Sequence, residues 1–325
     1  MTRPAAPVPG PPLPTPDRRP RVSPGIRVVP QRHPWRWAAA SAVLVVCAQA
    51  AHGLVTNPFF QWHRFGYWFA RPVVLHGLLL TLRITALSAL LGLAGGVLLA
   101  AARLSPNPAL RIASWGYVWL LRSVPLIVLL LFLYNFSALY PTLSIGVPFG
   151  PGLFRTGEAQ LATGTTVAVV GLSLNEAAYA AEVVRGGLLS VDRGQYEAAA
   201  ALGMGRHRRF TRIVLPQALR VIVPAYVNQL INLVKATSLV FYVSLLDLFG
   251  TVETLGSTYP GDIVPLLLTA TVWYVILTAV VSALQYGAER HYSRGTGRTV
   301  PPPPLHRARA ALAALRARAA LETAR

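Results

Sequence analysis

The nineteen residues from Ile84 to Ala102 contain no charged side chain. At about 1.5 Å per residue a helix of that length just crosses the hydrocarbon core of a bilayer. Five further runs have similar character: Trp37 to Val55, Ile112 to Tyr134, Thr165 to Val184, Val221 to Val243 and Ile263 to Tyr286. The composition agrees, with 54% hydrophobic and 13% charged residues and a mean hydropathy of +0.48. This is the balance of a polytopic membrane protein rather than a soluble domain. The expected fold class is all-α, with six transmembrane helices.

Details of the spans follow from their punctuation. Val73 to Leu82, ending at Arg83, extends the second span outward. Ser88, Gly92 and Gly96 fall four apart, a small-residue stripe that lets another helix approach closely. Ser105 to Pro108 reads as a turn. Arg122 lies inside the third span and Pro125 is expected to kink it. The Gly/Pro-rich stretch Pro141 to Gly164 is expected to be a loop. No internal repeat of fixed period is present. The single cysteine, Cys47, excludes an internal disulfide and reads as a small hydrophobe of the core.

The net charge of +19 could suggest a nucleic-acid partner, but the basic residues flank apolar spans and no soluble basic domain exists to hold them. Their placement reports orientation instead. The N-terminal tail holds seven, Arg103 to Arg111 two, Arg185 to Arg220 seven and the C-terminal tail eight; the opposite side holds only Arg64, Arg71 and Arg155. Twenty-four against three places both termini on the cytoplasmic side. An even number of spans is then required, and six satisfies it.

Residues 1–36 are rich in proline and arginine, cannot bury enough surface to offset their ordering entropy, and are expected to be disordered. They lack the pattern of a cleaved signal, so 37–55 is expected to be an uncleaved extra helix. The remaining five spans are expected to form the core, over 73–289. The basic tail, 290–325, passes Pro301 to Pro304 into the Ala/Arg-rich segment Leu305 to Arg325, read as a solvated tail, with a helix on anionic membrane lipid as the alternative.

Between the fourth and fifth spans lies a stretch too basic and too Gly-punctuated for lipid, residues 192–216. Asp192 can cap a helix, and Gln195 to Leu202 supplies good helix formers, including four consecutive alanines. Gly203 stands where a helix ends in the left-handed conformation, and Gly205 loosens the turn again. Arg206 to Val214 resumes the helix, and Pro216 suits the first turn of the next. The stretch reads as a helical hairpin on the cytoplasmic face.

Glu197-Ala198-Ala199, then Gly203, then Ile213, Leu215 and Pro216 resemble the "EAA loop" of binding-protein-dependent ABC importer permeases. AYAAEVVRG (Ala178 to Gly186), GQYEAA (Gly194 to Ala199), LPQALR (Leu215 to Arg220) and NQLINLVKATSL (Asn228 to Leu239) are similar to the polar-amino-acid branch, which includes the histidine and glutamine permeases. RSVPL (Arg122 to Leu126) resembles that branch's RGTPL, with Ser123 and Val124 departing from it. The resemblance covers roughly Leu75 to Glu289, and five motifs in order make it specific. It implies a type I importer core formed by the last five spans. It also implies a second permease, identical or related, a pair of ATPase subunits and an extracytoplasmic solute-binding protein. The short helix carrying Glu197 would dock in a groove of the ATPase, its alanines allowing close approach.

No ATP chemistry is expected in this chain. Lys235 is the only lysine and is not in a Gly-rich loop, so a P-loop is excluded; ATP and Mg would be bound by the partner ATPase. No catalytic arrangement of nucleophile and base, and no metal-ligand spacing, stands out. Asn228, Asn232 and Lys235 share one face of the fifth span, followed by Thr237 and Ser238. They either line the path of a polar solute or hold helices together. Glu176 lies within the fourth span and needs a partner, with Lys235 and Arg122 as candidates. Glu182 and Arg185 form a local ion pair. An intramembrane enzyme or a secondary transporter is the alternative class. The first lacks an assembled constellation, the second lacks inverted repeats, and neither accounts for the Glu197 hairpin.

Overall fold

The computed structural model describes residues 34–136, 142–146, 152–157 and 163–292, with the single residue Ala313. The expected disorder of the N-terminal tail and the reading of the segment Leu305 to Arg325 therefore fall almost wholly outside the described residues. Two units are distinguished, Met1–Asn57 and Pro58–Arg325. The first contains α1 (Pro34–Thr56), in which the stretch from Trp37 to Val55 carries no charge. Cys47 lies on this helix and is exposed, which corrects its reading as a core residue.

The second unit begins with a 3-10 turn, Pro58–Phe60, followed by a short helix α2 (Trp62–Phe69) and then α3 (Pro72–Arg103). The 32 residues of α3 make one unbroken helix about 48 Å long, so Val73 to Leu82 is part of the second span. The third span departs from its expected form. It consists of α4 (Pro108–Ser123) and α5 (Leu126–Tyr134), related by a bend of 100°. Pro125 is the cause: it cannot donate to the ladder and pushes the residue before it out of the helical region, and Val124 is extended with φ −83 and ψ 128. The stretch expected to be a loop contains two short strands, β1 (Thr142–Gly146) and β2 (Gly152–Gly157), paired antiparallel.

Next come α6 (Gly164–Leu189), α7 (Arg193–Ala201), α8 (Arg206–Arg209) and α9 (Leu215–Ala236). The last tightens into a 3-10 helix over Thr237–Val243. Finally α10 (Leu248–Thr258) precedes α11 (Ile263–Tyr292). Among the described residues five helical segments are long and apolar enough to cross a membrane, and the bent pair α4–α5 makes a sixth.

The seam between α3 and α6 organises the bundle. Ser88, Gly92, Gly96 and Ala100 of α3 are buried against Ala177, Ala180 and Ala181 of α6, which are at most 5% exposed. A Cβ on Gly92 would come within 2.6 Å of Glu176 Cγ, and one on Gly96 within 2.9 Å of the Ala181 backbone nitrogen. The two backbones meet because nothing larger than hydrogen separates them there. A cluster of Ile84, Leu130, Val167, Leu172, Leu233, Val240 and Val243 extends the core. Toward α10, the fully buried Asp247 caps that helix by accepting from Gly250 N at 2.9 Å. Its other oxygen accepts from Thr81 of α3 and Tyr274 of α11, each at 3.3 Å. One carboxylate thus ties three helices with its acceptor sites in use.

Candidate functional site

The hairpin between α6 and α9 is built from local rules. Asp192 Oδ1 accepts from Gly194 N at 2.6 Å, capping α7. At the other end, Met204 N donates to Ala199 O at 3.1 Å and Gly203 N to Ala200 O at 3.0 Å. This pair of bonds is the Schellman arrangement, which requires a left-handed residue at the first position past the cap. Gly203 occupies it with φ +72 and has open space around its Cβ direction, so backbone conformation alone demands glycine there. The returning arm runs through α8 into a π-turn, Phe210–Val214. Leu215 N reaches Phe210 O, five residues back, immediately before Pro216, which has no N–H to continue the ladder.

The result is a helix presented outward. Of the residues in α7 only Ala199 is buried; Glu197, Ala198, Ala200 and Ala201 are exposed, and Leu202, just past the helix, is 82% exposed. Ile213 and Leu215 are half-buried on the returning arm, while Pro216 is exposed. The Arg209 guanidinium stacks over the Tyr196 ring at 4.5 Å, locking the two arms together. Below the hairpin, near the end of α6, Glu182 accepts from Arg103 Nη1 at 2.6 Å and from Arg185 Nη2 at 2.8 Å. The expected Glu182–Arg185 pair is therefore one half of a triad that also secures α3. Arg103 stands 79 positions from Glu182, and no local pattern points to it.

The polar residues of the fourth and fifth spans divide by burial. Glu176 is fully buried, and neither expected partner reaches it. Gln229 Nε2 lies 3.5 Å from Glu176 Oε2, Glu176 Oε1 has no hydrogen-bond partner, and Arg122 instead stands over the Tyr179 ring at 5.3 Å. Asn232 Nδ2 lies 3.5 Å from Gln229 Oε1, so Gln229 joins the outer face of α9 to the buried carboxylate. Asn228, Asn232 and Lys235 do share that face and are exposed. Lys235 also lines a cavity of about 280 Å³ with Ser238, Thr271 and Tyr274. Thr237 is buried and donates to Val234 O at 2.7 Å; Ser238 donates to Lys235 O at 2.8 Å. Both hydroxyls are thereby engaged with their own helix. No group of three metal-ligating side chains occurs among the described residues.

Residues 92–294 match the family described as binding-protein-dependent transport system inner membrane component. Over 279 residues the chain is 36% identical to the arginine transport system permease protein ArgU of Corynebacterium glutamicum, with 85% of each covered. It is 35% identical to the glutamate/aspartate import permease protein GltK of Escherichia coli, covering 66% of this chain and 92% of GltK. A crystal structure of an amino acid ABC transporter with histidines is 28% identical, with a TM-score of 0.58 over 68% of this chain and 94% of the other. An inward-facing structure of the MetNI methionine ABC transporter is 25% identical, with a TM-score of 0.52 over 68% and 96%. With the spans, the seam and the outward hairpin all in place, the chain belongs to the binding-protein-dependent transport system inner membrane component family.

Proposed function

We propose that this chain is the permease subunit of an ATP-driven importer that translocates a polar amino acid or a related small zwitterion. It pairs with a second permease, identical or related, so that solute passes between the two. ATP and Mg are bound by a pair of partner ATPase subunits, and an extracytoplasmic solute-binding protein delivers the solute. Both termini and the α7 hairpin face the cytoplasm of the bacterial cell. The chemistry of the relatives supports the solute class: arginine, glutamate and aspartate are all small and zwitterionic at the backbone.

The observation that carries this reading is the outward presentation of α7. Ala198, Ala200 and Ala201 are exposed beside the Glu197 carboxylate and an 82% exposed leucine, and none of them is buried by the described residues. The same surface suits a groove on another protein, where small side chains let two backbones approach. Closure of the ATPase pair would then move α7, and with it α6 and α9, as a rigid-body transition. Asn228, Asn232 and Lys235 supply the polar face on α9 from which a solute path is built. The core runs over 73–289, and the helix at 37–55 is an addition to it.

Reconstitution with its ATPase and binding protein in vesicles tests the reading. ATP-dependent accumulation of one labelled polar amino acid, abolished by omitting the binding protein, is the expected result. Accumulation driven by an ion gradient without ATPase would overturn it.

A further inference from the structure

Where α3 turns into α4, a cavity of about 340 Å³ is lined by Arg103, Leu104, Arg111, Ile112, Trp115 and Arg185. Three guanidinium groups, set against Glu182, the carboxylate that pairs with Arg103 and Arg185, leave a formal excess of two positive charges (three minus one). Arg103 and Arg185 are held in place by that carboxylate, at 2.6 and 2.8 Å, so their remaining donors are pre-oriented. Arg111 sits in the first turn of α4, exposed, on a helix whose N-terminus is capped by Asn107 accepting from Ala109 N at 2.9 Å.

The rest of the wall is apolar and faces outward. Ile112 is 66% exposed and Trp115 52% exposed, and Trp115 stacks on the exposed Trp119 at 6.2 Å. Arg103 closes one apolar span and Arg111 opens the next, so the cavity stands at the level where spans leave the hydrocarbon. Tryptophan and arginine are both stable at that depth, the ring among acyl chains and the guanidinium among headgroups. A cationic recess continuous with an exposed apolar flank matches a molecule that is anionic at one end and oily at the other.

We propose that this cavity is a site for an anionic phospholipid, its phosphate among Arg103, Arg111 and Arg185 and its acyl chain along Ile112 and Trp115. The site is independent of which solute the chain transports. Occupied, it would pin the α3–α4 turn to the leaflet and brace the Arg103–Glu182–Arg185 triad at the end of α6, from which the hairpin departs.

Native mass spectrometry of the full-length chain in detergent, loaded with phosphatidylglycerol or phosphatidylcholine, tests it. Phosphatidylglycerol should be retained in preference to phosphatidylcholine. Arg111→Gln should lower that retention about fivefold, the worth of one interfacial arginine. Arg111→Lys should keep most of it, and Arg220→Gln, at the same end but outside the cavity, should leave it unchanged. Equal retention of both lipids by the unaltered chain would overturn the proposal without recourse to any variant. So would an equal loss on Arg220→Gln, which would mean diffuse attraction. Full displacement of phosphatidylglycerol by millimolar glycerol 3-phosphate would also refute it, by reassigning the cavity to free phosphate.

Discussion

Alanine and glycine dominate two regions of this molecule and do opposite things in them. At the α3–α6 seam, Gly92, Gly96, Ala177, Ala180 and Ala181 are buried and bring two spans into backbone contact. In the hairpin, Ala198, Ala200, Ala201 and Gly203 are exposed, and Gly203 has nothing within 4 Å of its Cβ direction. The seam uses smallness to pack against itself. The hairpin uses it to stay unencumbered, with its geometry set by caps at both ends. A helix held by a cap, a Schellman turn and a cation–π clamp, yet with Ala198, Ala200 and Ala201 uncovered, is the surface to which the proposed function assigns contact with another chain.

The sharpest test of this contrast puts a branched side chain on each glycine type. Gly96→Val meets the Ala180 Cβ at 2.5 Å and backbone atoms at 2.9 Å, so the helices must separate. A loss on the order of 3 kcal/mol is expected, read as a collapsed yield of monodisperse protein and a large drop in Tm. Unchanged stability would show that the seam is looser than its geometry.

A matched pair of alanines comes next. Ala180→Leu overpacks the seam and should cost about 2 kcal/mol. Ala201→Leu, on the exposed face of α7, should leave stability within about 0.5 kcal/mol while weakening assembly with the ATPase. Measuring Tm and co-purification for both would break the comparison if the two behaved alike.

A smaller effect on stability is expected at the turn. Gly203→Val forces a β-branched residue to φ +72, a cost of about 1–2 kcal/mol. Its consequence for transport should be far larger, because the two arms of the hairpin are re-aimed. Gly203→Asn tolerates the left-handed region better and should recover most uptake. If Asn and Val were equally damaging, the requirement for glycine would be one of space at the partner surface rather than of φ.

How much of this was legible in the sequence follows the range of the interactions. The hairpin could be read residue by residue, since Asp192, Gly203 and Pro216 act on backbone groups within five positions. The stripe Ser88, Gly92, Gly96 announced a seam by its spacing, although not which helix would fill it. The 100° bend at Pro125 was underread as a kink; the restriction a proline places on its predecessor, here Val124, was the available signal. What stayed hidden depends on partners remote in the chain. Arg103 on Glu182, Gln229 below Glu176, and Thr81 with Tyr274 on Asp247 are set by how spans pack, and periodicity along one span does not report its neighbour. Glu176 shows the consequence: both expected charged partners are replaced by an amide.

The coupling role of the exposed hairpin is tested most directly by Glu197→Lys. Both residues are good helix formers and the side chain is exposed, so insertion and stability should be unchanged within about 0.5 kcal/mol. The measurement is ATPase activity of the reconstituted complex with and without solute-loaded binding protein. The variant should retain basal hydrolysis and lose the stimulation, together with solute uptake. Full stimulation and normal uptake by Glu197→Lys would contradict the proposed contact between this carboxylate and the ATPase.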